Sequence, residues 1–349
     1  MRPLALLVAS SACAFLLSAC AWTPQSQVDY ESAQSSAGHT AILNLTDAQR
    51  LRDNVARSEA AIESSGQTLA SLATECDRCA QALDYAAEAA AARLRTVGGL
   101  WEPWANVSAD QQSGLAQLPD VADAPVMPEA LAGYMHVTAL EQLRELRDIA
   151  DVDSSERLLI SSLLTGRLLS AGYLAGTFGV AADQAGKDLP AGATVTFVGA
   201  EAMDTGAKDQ DPANPQQSAD DADLELLQAA ASRYSCVASS LGVSSLTDTN
   251  FSLGQSLYDQ LLGRRVKLDA LTKGAKGPRC LLDFPDESAL INELLATDLE
   301  LVASADQAIS ELGEEWLLED VQTALIVGGI NPLTPGLQDS TEAEAEASE

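Results

Sequence analysis

Cations are scarce in this chain of 349 residues: 20 Lys and Arg stand against 51 Asp and Glu, a formal net charge of −31. Such a balance excludes nucleic-acid binding, because few positive groups exist to displace counterions from phosphates. Histidine is scarcer still, with only His39 and His136. Ferritin-like metal sites need Glu-x-x-His pairs, and here Ser36 and Gly133 stand three residues before the two histidines. The same scarcity leaves no hydrolytic triad, and no Gly-x-Ser-x-Gly, P-loop or dinucleotide fingerprint occurs. No cofactor or metal is therefore expected. Long uncharged apolar runs are also missing from the body: residues 158–182 come nearest but carry Arg167 at their centre, which speaks for a buried helix over a membrane span. What is plentiful is apolar material, 46 % of the chain, enough for one large domain or two ordinary ones.

The N-terminus has the strongest pattern. Arg2 is the only charge in residues 1–19, and an apolar run from Leu4 to Leu17 leads into Leu17-Ser18-Ala19-Cys20. This resembles the lipobox of bacterial lipoproteins, in which the cysteine receives a diacylglycerol and the signal peptide is cut just before it. The resemblance implies residues 1–19 as signal peptide, lipidation (palmitate-type acyl chains) at Cys20, and an extracytoplasmic, membrane-anchored protein. Ala21 in place of Asp implies outer-membrane sorting in a bacterium with two membranes. Two or more acyl chains hold a protein stably, where one chain anchors only marginally. Residues 20–40, rich in Ser, Gln, Thr and Ala, read as a flexible tether spanning about 25 Å.

Nearly everything after Leu43 reads as helix, and the fold class is all-α. Thr46-Asp47 opens a stripe through Leu51, Val55, Ile62 and Leu69, with an interruption expected at Ser64-Ser65-Gly66. A second helix is expected from about Gln67 to Gly98-Gly99. Pro128 suits the first turn of a helix to Asp151, and Asp153 with Glu156 has capping-box spacing ahead of an apolar helix from Arg157 to about Gln184. Ala193 to Gly199 is the only strand-like piece, read as an extended connector. Four further helices are expected at about 222–241, 251–272, 286–312 and 314–328, with Gly242 and Gly313 as stops. The layout predicted is an N-terminal bundle over 41–199, a polar linker over 200–221, a C-terminal bundle over 222–330 and an acidic tail over 331–349. Two tandem halves of about four helices each follow, with one larger helical bundle as the alternative.

Four cysteines remain after Cys13 and Cys20: Cys76, Cys79, Cys236 and Cys280. An even number in an oxidising compartment points to two disulfides, and of three possible pairings Cys76–Cys79 with Cys236–Cys280 is preferred. The Cys76-Asp77-Arg78-Cys79 spacing also suits thiol exchange, with Thr74 as a possible helix cap, although the strand and proline loop of thioredoxins are missing. Arg167, if buried, needs an acidic partner, for which Glu141 and Glu145 are the candidates. Arg167 and Tyr173 could then line a ligand pocket, or Arg167 could be a structural clamp. Trp101 and Trp104 flank Pro103 in a loop and suit packing over a bundle end or a binding groove.

The order of lipobox, Ser/Gln-rich tether, cysteine-bearing helix, Gly98-Gly99-Leu100-Trp101-Glu102-Pro103-Trp104 and apolar helices resembles actinobacterial lipoproteins, some with ferritin-like bundles lacking metal motifs. The reading that results is a non-enzymatic, lipid-anchored interaction or scaffold protein. Its partners would be the bilayer, through Cys20, and an envelope protein. A helical carrier of a small ligand through Arg167 and Tyr173, or a thiol oxidoreductase using Cys76 and Cys79, are the alternatives.

Overall fold

Thr46 starts the first helix by a reciprocal cap: its Oγ1 accepts from Gln49 N–H, and the Gln49 side chain accepts from Thr46 N–H. The computed structural model describes residues 46–73, 76–101, 121, 124–150, 152–180, 221–247, 255–272, 284, 286–328 and 335–336. Eight helices lie among them: α1 Asp47–Leu72, α2 Asp77–Thr96, α3 Pro128–Asp148, α4 Ser154–Phe178, α5 Asp221–Thr247, α6 Gln255–Leu271, α7 Glu287–Val302 and α8 Gln307–Val327. No strand occurs among the described residues. The lipobox, the tether, the piece Ala193–Gly199, the linker up to residue 220 and the acidic tail from 337 lie outside them.

Helices α1 to α4 form a closed ring of neighbours, α1 on α2, α2 on α4, α4 on α3 and α3 on α1. In the second set α5 packs on α6 and α7, and α7 on α8. The described residues are thus all-α, in two tandem four-helix sets. The sets also meet, α4 lying against α7 and α8, and α3 against α8. One apolar core runs through both, from Leu143, Ile160 and Leu164 to Leu295, Leu299 and Val321. A second core, with Ile62, Leu83, Leu131 and Met135, belongs to the first set alone.

This double role explains the composition of α4. A helix packed on several sides must be apolar on several sides. Its length and hydropathy would suffice to cross a membrane, yet 78 % of its most apolar window is covered by the rest of the chain. Gly172 on α4 marks the junction: a Cβ there would run into Leu325 Cδ1 of α8. Gly176, one turn on, faces open space, so the pair does not act as a small-residue contact stripe. At the edge of the same junction Arg147 Nη1 donates to Glu314 Oε2 at 3.1 Å.

Several expected boundaries are corrected. Ser64-Ser65-Gly66 does not interrupt α1, which runs on to Leu72; α2 begins at Asp77, and Cys76 rather than Thr74 is the residue that caps it. Gly66 serves close approach instead, since a Cβ there would sit 2.9 Å from Ala87 Cβ of α2. Gly313 likewise stops nothing. It lies inside α8, where a Cβ would meet Val302 N at 2.5 Å and Leu301 Cβ at 2.7 Å. The break falls at 303–306, where Ser304 Oγ accepts from Asp306 N–H and the Asp306 carboxylate accepts from Ile309 N–H. Gly242 is passed by α5 without a stop, and α4 ends early at Phe178, with Gly179 at φ +72°. Other boundaries agree: Gly98 and Gly99 close α2 by donating to Arg95 O and Leu94 O. Asp153 and Asp286 cap α4 and α7.

Candidate functional site

Each bundle holds charged side chains in its interior, and these are where polar chemistry is concentrated. In the first, Glu59 lies on the apolar stripe of α1, three and four residues after Ala56 and Val55, and Arg93 follows Ala89 and Ala90 on α2 in the same way. Both are fully buried, as is Arg167 of α4. Glu59 Oε1 accepts from Arg167 Nε at 2.8 Å and lies 3.1 Å from Arg93 Nε. Arg167 also donates through Nη1 to Gln142 Oε1 at 2.7 Å and Thr138 Oγ1 at 3.2 Å, and through Nη2 to Val55 O at 3.3 Å. Arg93 Nη1 donates to Ser170 Oγ at 3.2 Å. One carboxylate thereby ties three helices, and Gln142 brings in the fourth.

The partner of Arg167 is therefore Glu59, not Glu141 or Glu145. Helix α3 offers Arg167 its uncharged Thr138 and Gln142 instead, one turn apart on the inner face. Glu145 lies nearer Arg50, and burial raises its pKa against that neighbour's pull. Burial also pushes the Tyr134 hydroxyl up to about 12, partly opposed by Arg167. A further buried pair, Arg57 Nε to Asp53 Oδ2 at 2.7 Å, holds the loop after α2, because Asp53 Oδ1 accepts from Trp101 N–H at 3.1 Å. Trp101 is buried; Trp104 lies outside the described residues.

The second bundle has its own centre, which the sequence reading missed. Arg264 of α6 forms a two-pronged pair with Asp320 of α8, at 2.6 and 3.0 Å. Its guanidinium carbon stands 5.5 Å from the ring centre of Tyr234 and 5.4 Å from that of Trp316. The two rings meet edge to face at 5.4 Å. Asp298 of α7 completes the group, accepting from the Tyr234 hydroxyl and lying 3.8 Å from Arg264 Nη1. Burial, and then the charge of Asp320 beside it, hold the Asp298 carboxyl well above the usual carboxylate range. Tyr234 is raised by burial and by Asp298. Burial alone would lower the pKa of Arg264, and Asp320 and Asp298 outweigh it. Arg264 thus faces the carboxylates of Asp320 and Asp298 inside the bundle, and through Nη2 it also donates to the partly exposed Glu319 at 2.9 Å.

A signal for this centre was present. Asp298 follows Ile291, Leu294 and Leu295 by seven, four and three residues; Arg264 follows Leu257 and Leu261 by seven and three; Asp320 follows Trp316 and Leu317 by four and three. A charge on an apolar stripe is a buried charge, and three such positions on three helices ask for one another.

The other singled-out residues are dispersed. Tyr173 is about half exposed and lies edge-on to Tyr85, ring centres 5.6 Å apart, so it shares no lining with the enclosed Arg167. Cys76 and Cys79 are joined by a disulfide at the start of α2. Cys236 on α5 is also disulfide-bonded, to a partner outside the described residues, and Cys280 lies outside them. Cys20 lies outside them too. His136 is half-buried on α3. Among the described residues no three His, Cys, Asp or Glu side chains are grouped to hold a metal ion. Compared with family models, with curated proteins and with solved structures, the chain matches none.

Proposed function

We propose that this chain is a lipid-anchored extracytoplasmic protein that works as an interaction or scaffold body, held off the membrane by the tether at 20–40. The anchor rests on Leu17-Ser18-Ala19-Cys20. The scaffold reading rests on one observation: the donors of Arg167 point at Glu59, Gln142, Thr138 and Val55 O, inside the bundle. The guanidinium that would have served a carrier is occupied in tying helices together. Function then falls to the outer surface, and an envelope protein is the partner class that suits it.

The test is extraction from the native membrane followed by mass spectrometry under native conditions. The expected result is acyl mass on Cys20 and a second polypeptide retained. A retained small molecule would move the reading to the carrier. Cys20→Ala should shift the protein to the soluble fraction, and continued membrane association of that variant would overturn the anchor.

A further inference from the structure

The Cys76–Cys79 bond joins two residues of a single helical turn, the N-cap of α2 and the third residue of that helix. It ties no distant segments, so the constraint it places on the unfolded chain is among the smallest a disulfide can impose. The cap does not depend on it either. Cys76 Sγ accepts from Cys79 N–H at 3.2 Å, and a thiolate at the same place would accept the same hydrogen bond at the positive end of a 20-residue helix. Both oxidation states are thus compatible with one backbone. The two residues differ in exposure: Cys76 is exposed and Cys79 is half-buried.

We propose that Cys76–Cys79 is an exchange-active disulfide that accepts electrons from the thiols of a peptide or protein partner, with Cys76 as the attacked sulfur. A thiolate of the partner attacks Cys76 Sγ, the sulfur–sulfur bond breaks, and its electron pair leaves on Cys79, which takes a proton. A mixed disulfide now links Cys76 to the partner. A second thiolate of the partner attacks the partner's own sulfur in that bond and displaces Cys76 as the thiolate held by Cys79 N–H. Two electrons pass from the dithiol to Cys76 and Cys79, with one proton resting on Cys79 and the other released to solvent, and a disulfide substrate drives the reverse. The activity stands apart from the lipid anchor and needs no thioredoxin fold, only an accessible sulfur and a stabilised leaving thiolate.

The test uses the full chain with cysteamine, a thiol whose positive charge is not repelled by this acidic protein. Native protein is incubated with it, quenched by alkylation and read by peptide mass spectrometry. Cys76 and Cys79 should become alkylated at least tenfold faster than Cys236, which is 1 % exposed. Equal resistance of both disulfides until the protein unfolds would overturn the proposal. In a second measurement the reduced Cys79→Ala and Cys76→Ala variants meet cystamine, with helix content by circular dichroism as the check on folding. The adduct on Cys76 should form at least tenfold faster than that on Cys79. Equal rates would refute the assignment of Cys76; if either variant misfolds, the cysteine that carries the cysteamine adduct in the quenched wild-type digest makes the same assignment.

Discussion

Arg167 on α4 donates its Nε to Glu59 on α1 at 2.8 Å across 108 positions of sequence, both side chains wholly enclosed. The pair cannot be weighed as a surface ion pair. Removing one partner leaves a buried charge uncompensated, at a cost of about 3–5 kcal/mol. Glu59→Gln withdraws the carboxylate shared by two guanidiniums and should destabilise by about that amount in urea titration. Arg167→Met should cost less, because Arg93 still neutralises Glu59. The reverse ranking would mean that Glu59 is not the hub of this centre.

The second centre yields a dependence on pH. Asp298 holds its proton more tightly in the folded chain than in the unfolded one, where its pKa is about 3.9. The folded state therefore binds more protons above that value. Stability from this group is fully present below about pH 4 and is lost as pH rises toward the folded pKa, by at most about 1.4 kcal/mol per pH unit. Asp298→Asn keeps the shape of the protonated acid without the titration. Its stability relative to the parent should rise with pH across that window when urea midpoints are compared. A constant difference at every pH would show that Asp298 is ionised in the fold.

Two glycines on neighbouring helices should respond in opposite directions to alanine. At Gly313 the added Cβ meets Val302 backbone and Leu301, so Gly313→Ala should destabilise by about 1–3 kcal/mol despite better helix propensity. At Gly263 on α6 nothing lies within 4 Å. Gly263→Ala should stabilise by about 0.5–1 kcal/mol. Thermal melts of the two variants against the parent check both signs at once.

Because one apolar core joins Leu164 of α4 to Leu295 and Leu299 of α7, the two bundles should unfold together. Hydrogen–deuterium exchange should find the slowest amides of α4 and α7 opening at the same global free energy. Two separate plateaus would mean that the junction at Gly172 and Leu325 contributes little.

Helix existence, the caps at Thr46, Asp153 and Asp286, the closing glycines after α2 and the burial of α4 were legible in the residues alone. Each depends on neighbours within a turn or two, through side-chain oxygens that reach nearby N–H groups and apolar residues that recur every three or four positions. The meaning of Gly66 and Gly313 was not legible, since a glycine that ends a helix and one that lets another helix approach look alike until the neighbour is known. The same holds for the buried charges. Their places on apolar stripes could be read locally, but Glu59 as the partner of Arg167, and the meeting of Asp298 with Arg264 and Asp320, depend on which helices become adjacent. The order of residues along each helix puts charges on its inner face, but which charges meet is a matter of packing, because ion pairing inside a bundle depends on distance in space and is blind to separation along the chain.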